Sequence, residues 1–384
     1  MMGARLAAVA GCLILAVVGA SACSATPPAS PIPSRAPSPG LTTPAPTATT
    51  SAEGWWRVAG APETLASGLE APWSVAPTGD GGALISQRND GRVLELTPAG
   101  ELREAGVVPG VVSGGESGLH GLALHQDGAD VWLYAYHGAR DDNRVVRMPL
   151  LGDAGELTLG EVEVVLEGIP RESTHDGGRL AFGPDGYLYV TTGDAQRRDA
   201  AQDPEALGGK ILRLTPGGDP APGNPWDNAV WTLGHRNVQG LAWTSDGTMW
   251  ASEFGQNTWD ELNRIEAGSN YGWPIVEGTA GRDGMVDPVV AWRTSEASPS
   301  GIAAKGDTVF VAGLRGERLW TVDTAAGALA AEPLAVLAAE QGRLRDAVVA
   351  PDGALWVLTN NTDGRGDPRA EDDLLLRLAL APAT

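Results

Sequence analysis

The segment "GRLAFGPDGYLYVTTGD", residues 178–194, contains two short apolar runs on either side of an Asp-Gly step. Apolar and polar side chains alternate in its second half, which is typical of a half-buried strand. The Asp-Gly step favours a tight turn because glycine accepts a positive φ. The segment is therefore predicted to form a β-hairpin.

The same pattern of an aspartate, a tight turn and a short apolar strand recurs along the chain. Six copies are found, at Asp80, Asp127, Asp185, Asp246, Asp307 and Asp352. The intervals of 47, 58, 61, 61 and 45 residues suit four-stranded sheets joined by loops of variable length. The sequence thus predicts an all-β fold, a six-bladed β-propeller. A generic all-β protein with common Asp-Gly turns is the alternative.

The N-terminal part is predicted to direct export. Residues 1–22 combine Arg5 with an apolar run that is too short for a permanent membrane span, and they read as a signal peptide. Small residues before Cys23 resemble a bacterial lipoprotein cleavage box, so Cys23 is expected to carry lipid; plain secretion is the alternative. Residues 23–53 are rich in Pro, Ser and Thr and are interpreted as a tether, and residues 54–384 as the propeller domain.

Charge and cysteine content limit the partners and the covalent bonds that are expected of this protein. The formal net charge of −21 argues against a nucleic-acid partner, because phosphate binding needs a basic surface. Only Cys12 and Cys23 are present, and Cys12 lies in the signal, so the mature domain is expected to have no disulfide. We expect contact with a membrane only through the lipid on Cys23.

One histidine stands at a predicted strand entrance. His175 precedes the first strand of its hairpin and Asp194 follows the second, so the two could form a base and its orienting carboxylate. An ordinary polar rim residue is the alternative interpretation. No histidine pair has zinc-motif spacing, and a G-x-S-x-G hydrolase elbow is absent.

Cations and carboxylates also fall at predicted blade mouths. Arg236 and Asn237 precede one strand and Arg343 and Arg345 begin another, which in an acidic protein favours a bound polyanion; acid-paired surface arginines are the alternative. The segment from Glu253 to Glu261 is dense in carboxylates. It suits calcium, with a solvated acidic loop as the default.

Six motifs in chain order together resemble the soluble glucose and sorbosone dehydrogenase family, which depends on pyrroloquinoline quinone (PQQ). The similarity is greater to its aldose sugar dehydrogenase branch and runs from about residue 64 to 380. The motifs are "HDGGRLAFGPDGYLYVTTGD", "AQDPEALGGKILRL", "GNPW", "GHRNVQGLAW", "DELNRIEAGSNYGWP" and "GRLRDAVVAPDGALWVLT".

The resemblance implies a role for each matching residue. His175 would be the general base for the anomeric hydroxyl, Asp194 would orient it, and Arg236 would stabilise charge on the quinone oxygen. The other implied PQQ contacts are Glu116, Asn237, Arg315, Arg343 and Arg345. The carbonyls of Gly255 and Gln256 would hold calcium beside PQQ, whereas Glu261 and the carbonyl of Tyr271 match a separate structural calcium site.

The chain departs from the family pattern at two places. In "EFGQ", residues 253–256, Phe254 and Gln256 replace the usual His and Pro, which puts the rigidity of the calcium loop in question. Glu116 places a carboxylate toward PQQ, which opposes binding unless a cation offsets it.

The function expected from these features is oxidation of an aldose at C1 to its lactone, with hydride passing to PQQ and then to an external electron acceptor. A calcium-dependent lactone or ester hydrolase is one alternative, and a non-catalytic sugar-binding propeller is another. The expected location is the outer face of the cytoplasmic membrane, as a lipoprotein, or outside the cell.

Overall fold

The computed structural model describes residues 54–383. The predicted signal peptide, the tether and Cys23 lie outside the described residues. In the part that is described, the chain forms six antiparallel sheets. Five of them are each built from one continuous segment of chain, and the sixth also includes the N-terminal strand. The prediction of a six-bladed β-propeller is confirmed.

The strands are given blade by blade, from the channel outward. Blade 1 contains β2 (Pro72–Pro77), β3 (Ala83–Gln87), β4 (Arg92–Leu96) and β5 (Leu102–Val107). Blade 2 contains β6 (Leu119–Asp127), β7 (Asp130–Gly138), β8 (Asn143–Leu151) and β10 (Glu163–Ile169), with the short β9 (Thr158–Leu159) beside β8. Blade 3 contains β11 (Leu180–Phe182), β12 (Leu188–Thr191), β13 (Lys210–Leu214) and β14 (Val230–Leu233).

The second half of the ring follows the same plan. Blade 4 contains β15 (Val238–Trp243), β16 (Met249–Glu253), β17 (Trp259–Ile265) and β18 (Val290–Arg293). Blade 5 contains β19 (Pro299–Lys305), β20 (Thr308–Gly313) and β21 (Arg318–Ala325), with β22 (Ala328–Leu329) and β23 (Leu334–Val336) beside β21. Blade 6 contains β24 (Leu344–Val349), β25 (Leu355–Thr359), β26 (Leu375–Pro382) and β1 (Trp56–Ala66). A 3₁₀ helix spans Arg198–Gln202.

The ring is closed by the two ends of the described chain. The N-terminal strand β1 pairs antiparallel with β26, so it supplies the outermost strand of the last blade. This pairing joins strands that are more than 300 residues apart in sequence without leaving an unpaired end in the ring. No helix in residues 54–383 is long and apolar enough to cross a membrane.

The hydrophobic core lies between neighbouring blades. Among the described residues it divides into six clusters, and each joins two adjacent sheets. One example joins Leu180 and Val190 of blade 3 to Tyr136 of blade 2. Packing blade against blade leaves the inner ends of the sheets free to carry polar side chains.

Turns that contain the repeated aspartate join the two inner strands of every blade, as Asp-Gly in five blades and as Gly306–Asp307 in blade 5. For example, Asp185 lies between β11 and β12, and Asp352 lies between β24 and β25. Because all these turns lie at one end of the ring, the loops that enter β11 and leave β12 lie at the other end, which we call the mouth face. His175 and Asp194 lie in those two loops.

Candidate active site

A cavity of about 380 Å³ opens at the mouth face. It is lined by residues from all six blades, from Trp73 of blade 1 to Arg365 of blade 6. The structure brings most of the predicted site residues to this cavity, namely Glu116, His175, Arg236, Asn237, Gly255, Arg315, Arg343 and Arg345. Residues that the sequence spreads over more than 200 positions therefore share one site.

The imidazole of His175 is held by a carboxylate at its rear. Its Nδ1 atom lies 2.8 Å from Oδ1 of Asp194, whose side chain is fully buried. The other oxygen of Asp194 accepts a hydrogen bond from the indole of Trp273 at 2.8 Å, and Oδ1 also accepts the backbone N–H of Gln196. Burial favours the neutral acid, but the hydrogen bonds from His175 and Trp273 outweigh it and hold the pKa of Asp194 below its usual value.

The opposite ring nitrogen of His175 faces Arg236. The guanidinium Nη2 lies 2.8 Å from Nε2, and Nη1 donates to the carbonyl of Phe254 at 3.0 Å. Since a guanidinium only donates, Nε2 is the acceptor of this contact and Nδ1 carries the proton that Asp194 binds. The ring therefore presents an unprotonated nitrogen toward the cavity, as a general base requires.

The backbone of His175 is in an uncommon conformation. Its φ of 64° lies in the left-handed region, which is unfavourable for a residue with a side chain. The carboxylate of Glu116 accepts its N–H at 2.9 Å, and a β-carbon at Gly193 would collide with its carbonyl oxygen. The glycine thus allows the close approach of two loops that brings His175 to Asp194.

Glu116 is paired with a cation. Its second carboxylate oxygen accepts a hydrogen bond from Nη1 of Arg365 at 2.9 Å. Arg365 comes from the loop between β25 and β26 of blade 6. The family resemblance directs the carboxylate of Glu116 toward PQQ, and the positive charge of Arg365 offsets this carboxylate.

Two arginines of blade 6 form the cationic wall of the cavity. Arg343 and Arg345 are both at least nine-tenths buried and share the carboxylate of Asp363, at 3.0 and 3.8 Å. Burial lowers the pKa of Arg345 to about 9, although the charge of Asp363 opposes this effect. Its Nε atom has no hydrogen-bond partner, which indicates a place for an additional acceptor.

Other donors at the cavity are also unpaired. The Nδ2 atom of Asn237 and the Nε atom of Arg236 are buried without a partner, whereas Oδ1 of Asn237 accepts the N–H of Gly177 at 2.9 Å. Arg315 is exposed at the rim. Three residues that line one cavity, Arg236, Asn237 and Arg345, thus carry an unpaired buried donor, which fits a ligand with several anionic oxygens.

The loop of Gly255 and Gln256 is shaped by two carboxylates. Asp260 accepts the N–H of Gly255 at 2.9 Å, and Glu277 accepts that of Gln256 at 2.9 Å. Burial raises the pKa of Asp260 to about 6. Gly255 lines the cavity, and Gln256 lies next to it outside the lining.

The second predicted metal site lies behind this loop, away from the cavity lining. Glu261 accepts the N–H of Gly278 at 2.8 Å and the amide of Asn263 at 3.1 Å. Burial and the nearby charge of Glu253 raise the pKa of Glu261 to about 8. Tyr271 stacks on His235 with ring centroids 4.7 Å apart.

The acidic segment does not gather its side chains into a metal centre. The carboxylate of Glu253 contacts Nδ1 of His235 and accepts the N–H of Arg236. The carboxylate of Asp260 accepts the N–H groups of Gly255 and Ser298. Within residues 54–383 no group of three or more His, Cys, Asp or Glu side chains is placed to hold a metal ion.

Comparison with known proteins shows the family to which the chain belongs. The family model of glucose/sorbosone dehydrogenases matches residues 69–377. The chain belongs to the glucose/sorbosone dehydrogenase family. The aldose sugar dehydrogenase YliI of Escherichia coli (strain K12) is 31% identical over 344 residues, which cover 79% of this chain and 90% of that protein.

Other members of the glucose/sorbosone dehydrogenase family are similar as well. The quinoprotein glucose dehydrogenase B of Acinetobacter calcoaceticus is 31% identical over 251 residues, which cover 56% of this chain and 52% of that protein. The PQQ-bound structure of aldose sugar dehydrogenase from Streptomyces coelicolor is 48% identical, with a TM-score of 0.81, and the match covers 85% of this chain and 98% of that one.

Several residues of this glucose/sorbosone dehydrogenase site were missed from the sequence. Trp273, Asp363 and Arg365 contact predicted residues, and Arg88 lines the cavity. Asp363 and Arg365 lie in "TDGRGD", residues 362–367, and the alternation of charges and glycines after a buried strand was a usable signal. Trp273 lies within a quoted motif, but nothing local in the sequence connects its indole to Asp194.

Proposed function

We propose that this protein is a PQQ- and calcium-dependent dehydrogenase that oxidises an aldose at C1 to its lactone. The observation that carries the proposal is the cationic wall of Arg343 and Arg345 opening onto the same cavity as the His175–Asp194 pair. The PQQ-bound structure of the Streptomyces coelicolor relative supports the choice of cofactor.

The residues present fit the cofactor. PQQ carries up to three carboxylates, and the cavity offers unpaired donors on Asn237, Arg236 and Arg345 besides the charge of Arg343. These groups and Arg315 would hold it. When bound, PQQ supplies a quinone that accepts hydride from C1 of the sugar.

His175 is proposed to take the proton of the anomeric hydroxyl at Nε2. Asp194 holds the ring by its Nδ1–H and stabilises the positive charge that the ring acquires, because the carboxylate lies 2.8 Å away and is fully buried. Loss of this proton and of the C1 hydride converts the hemiacetal carbon into the lactone carbonyl, which balances the reaction.

Arg236 would occupy a second position in the reaction. Its Nη2 contacts Nε2 of His175, so a substrate hydroxyl has to replace that contact to reach the base. The guanidinium stays within the cavity and offsets negative charge that develops there.

Calcium is proposed at the loop of Gly255 and Gln256. Calcium prefers oxygen ligands and tolerates irregular geometry, and the two carbonyls of this loop receive no hydrogen bond from any described residue. Glu261 and the carbonyl of Tyr271 are proposed for a second, structural calcium. Glu253 and Glu261 are register partners across β16 and β17 and both are buried, so a cation beside Glu261 would offset their negative charge.

A calcium-dependent lactone or ester hydrolase is less well supported. It would use His175 to activate water, but it gives no role to the buried cations of Arg343 and Arg345. A non-catalytic sugar-binding propeller would likewise not need an unprotonated imidazole with a buried carboxylate behind it.

The test is reconstitution of the purified protein with PQQ and calcium. Reduction of a dye acceptor on addition of aldoses is expected, with activity lost on calcium chelation, restored by calcium and poorly restored by magnesium. Lactone hydrolysis without PQQ would support the hydrolase. Sugar binding without either reaction would support the non-catalytic propeller.

We also propose that the protein acts outside the cell membrane. Lipid on Cys23 would anchor it to the outer face of the cytoplasmic membrane, with residues 23–53 as the tether. The electrons taken from the sugar would then pass to an external acceptor.

A further inference from the structure

The loop from Gly255 to Trp259 has an unusual arrangement of its backbone N–H groups. The N–H groups of Gln256, Asn257, Thr258 and Trp259 all point to one atom, Oε1 of Glu277, at 2.9, 3.2, 3.0 and 3.0 Å. The preceding N–H, that of Gly255, is taken by Asp260. Five consecutive amides are therefore held by two carboxylates.

This arrangement fixes the direction of the carbonyl groups. In a planar trans peptide the N–H and the C=O point in opposite directions. Because the N–H groups of Gln256 and Asn257 point to Glu277, the carbonyls of Gly255 and Gln256 point away from it. Glu277 lies outside the cavity lining, whereas Gly255 belongs to it.

The position of Glu277 is itself fixed by its neighbours. The next residue, Gly278, donates its N–H to the buried carboxylate of Glu261 at 2.8 Å. A β-carbon at Gly278 would lie 2.6 Å from the indole of Trp259, so only glycine permits this close packing. The segment of Glu277 is consequently tied to β17 as well as to the loop.

We infer that Glu277 is a positioning residue that turns the carbonyls of Gly255 and Gln256 toward a calcium ion at the cavity. A carboxylate that accepts several amides restrains a loop by charge-assisted hydrogen bonds. Glu277 would thus give the loop the rigidity that a proline at position 256 would give. The inference rests on the calcium site of the proposed function.

The first experiment measures the loop without any ligand. Hydrogen exchange by mass spectrometry is followed for the peptide covering residues 254–260 in calcium-free protein. We expect exchange at least about tenfold faster in Glu277→Gln than in the wild type, and faster still in Glu277→Ala. Glu205→Gln removes an exposed carboxylate at the same face and is expected to change nothing. Equal exchange in wild type and Glu277→Ala would overturn the inference.

The second experiment measures coupling to calcium. The calcium concentration for half-maximal PQQ binding is read from the absorbance of bound PQQ, and it is expected to rise at least about tenfold in Glu277→Gln. Saturating calcium should then restore full PQQ binding, because the ligands themselves are intact. A loss that calcium cannot restore would indicate a merely structural role and contradict the inference.

Failure of the inference and failure of the proposed function are distinguishable. Wild-type PQQ binding that depends on calcium, together with an unchanged calcium requirement in Glu277→Ala, overturns the role of Glu277 alone. Wild-type PQQ binding that needs no calcium overturns the calcium site and the role of Glu277 together.

Discussion

Arg236 donates a hydrogen bond to Nε2 of His175 across 2.8 Å. The contact joins the proposed base to a permanent cation from the next blade, and it leaves the ring proton on Nδ1, where Asp194 binds it. A neutral base with a fixed tautomer is thereby built from three loops that the ring of blades brings together.

Asp194→Asn is expected to lower turnover about a hundredfold while PQQ binding is retained. An amide cannot stabilise the charged imidazole as a carboxylate does, and PQQ binding is retained because Asp194 does not line the cavity. Steady-state kinetics of the reconstituted variant, with a PQQ titration beside it, measure both quantities. Unchanged turnover would show that the carboxylate has no part in the reaction.

Replacing Arg343 and Arg345 together by Ala is expected to weaken PQQ binding by about a hundredfold or more. Each charge-assisted contact contributes about 1.5 to 3 kcal/mol, so two contacts reach this size. The measurement is a PQQ titration of the apoprotein.

The double variant leaves the buried carboxylate of Asp363 without its partners. A triple variant that adds Asp363→Asn removes this cost and keeps the test valid if the double variant folds poorly. Arg264→Ala removes a half-buried, acid-paired arginine outside the cavity lining and is the matched control. An affinity equal to that of the control would place the anion site elsewhere.

Asp176→Asn is expected to change the pH dependence of stability. Burial raises the pKa of Asp176 from 3.8 to about 6, and its Oδ2 atom has no hydrogen-bond partner. The folded protein thus binds this proton more tightly than the unfolded chain does. The stability from Asp176 is full below about pH 4 and is lost as the pH rises through about 6.

The measurement is the difference in thermal midpoint between wild type and Asp176→Asn. Other groups titrate in both proteins, so only the difference reports on Asp176. It should move in favour of the variant between pH 4 and 7. A difference that is constant over this range would contradict the raised pKa.

The number of blades could be predicted from the sequence because each blade repeats one local signal, a tight turn with an aspartate between its two inner strands. The pairing of His175 with Asp194 could also be expected, since both flank the same hairpin. Glu277 and Trp273 could not, because they lie in irregular loops. Their contacts with the site depend on how separate loops fold back and on closure of the ring, which no local pattern encodes.

Cys23 is expected to carry lipid in the mature protein. The prediction rests on the small residues before it and on the apolar run of residues 1–22. Mass spectrometry of the mature N-terminus from the native host would show an acylated Cys23. An unmodified Cys23, or a different terminus, would indicate secretion without an anchor.

The most direct test of the proposed function is reduction of bound PQQ by an aldose in the absence of any acceptor. Wild-type protein reconstituted with PQQ and calcium is mixed with sugar, and the absorbance of the quinone is followed. His175→Ala should bind PQQ normally but reduce it at least about a hundredfold more slowly, the usual scale for loss of a positioned base.

His120→Ala is the comparison in this measurement. His120 is buried between Trp73 and Tyr136, and burial lowers its pKa to about 3, so its loss is expected to reduce stability rather than the rate. Rapid reduction in the wild type and slow reduction only in His175→Ala is the result that we predict. A wild-type protein whose bound PQQ no aldose reduces, or a His175→Ala variant as fast as the wild type, would contradict it.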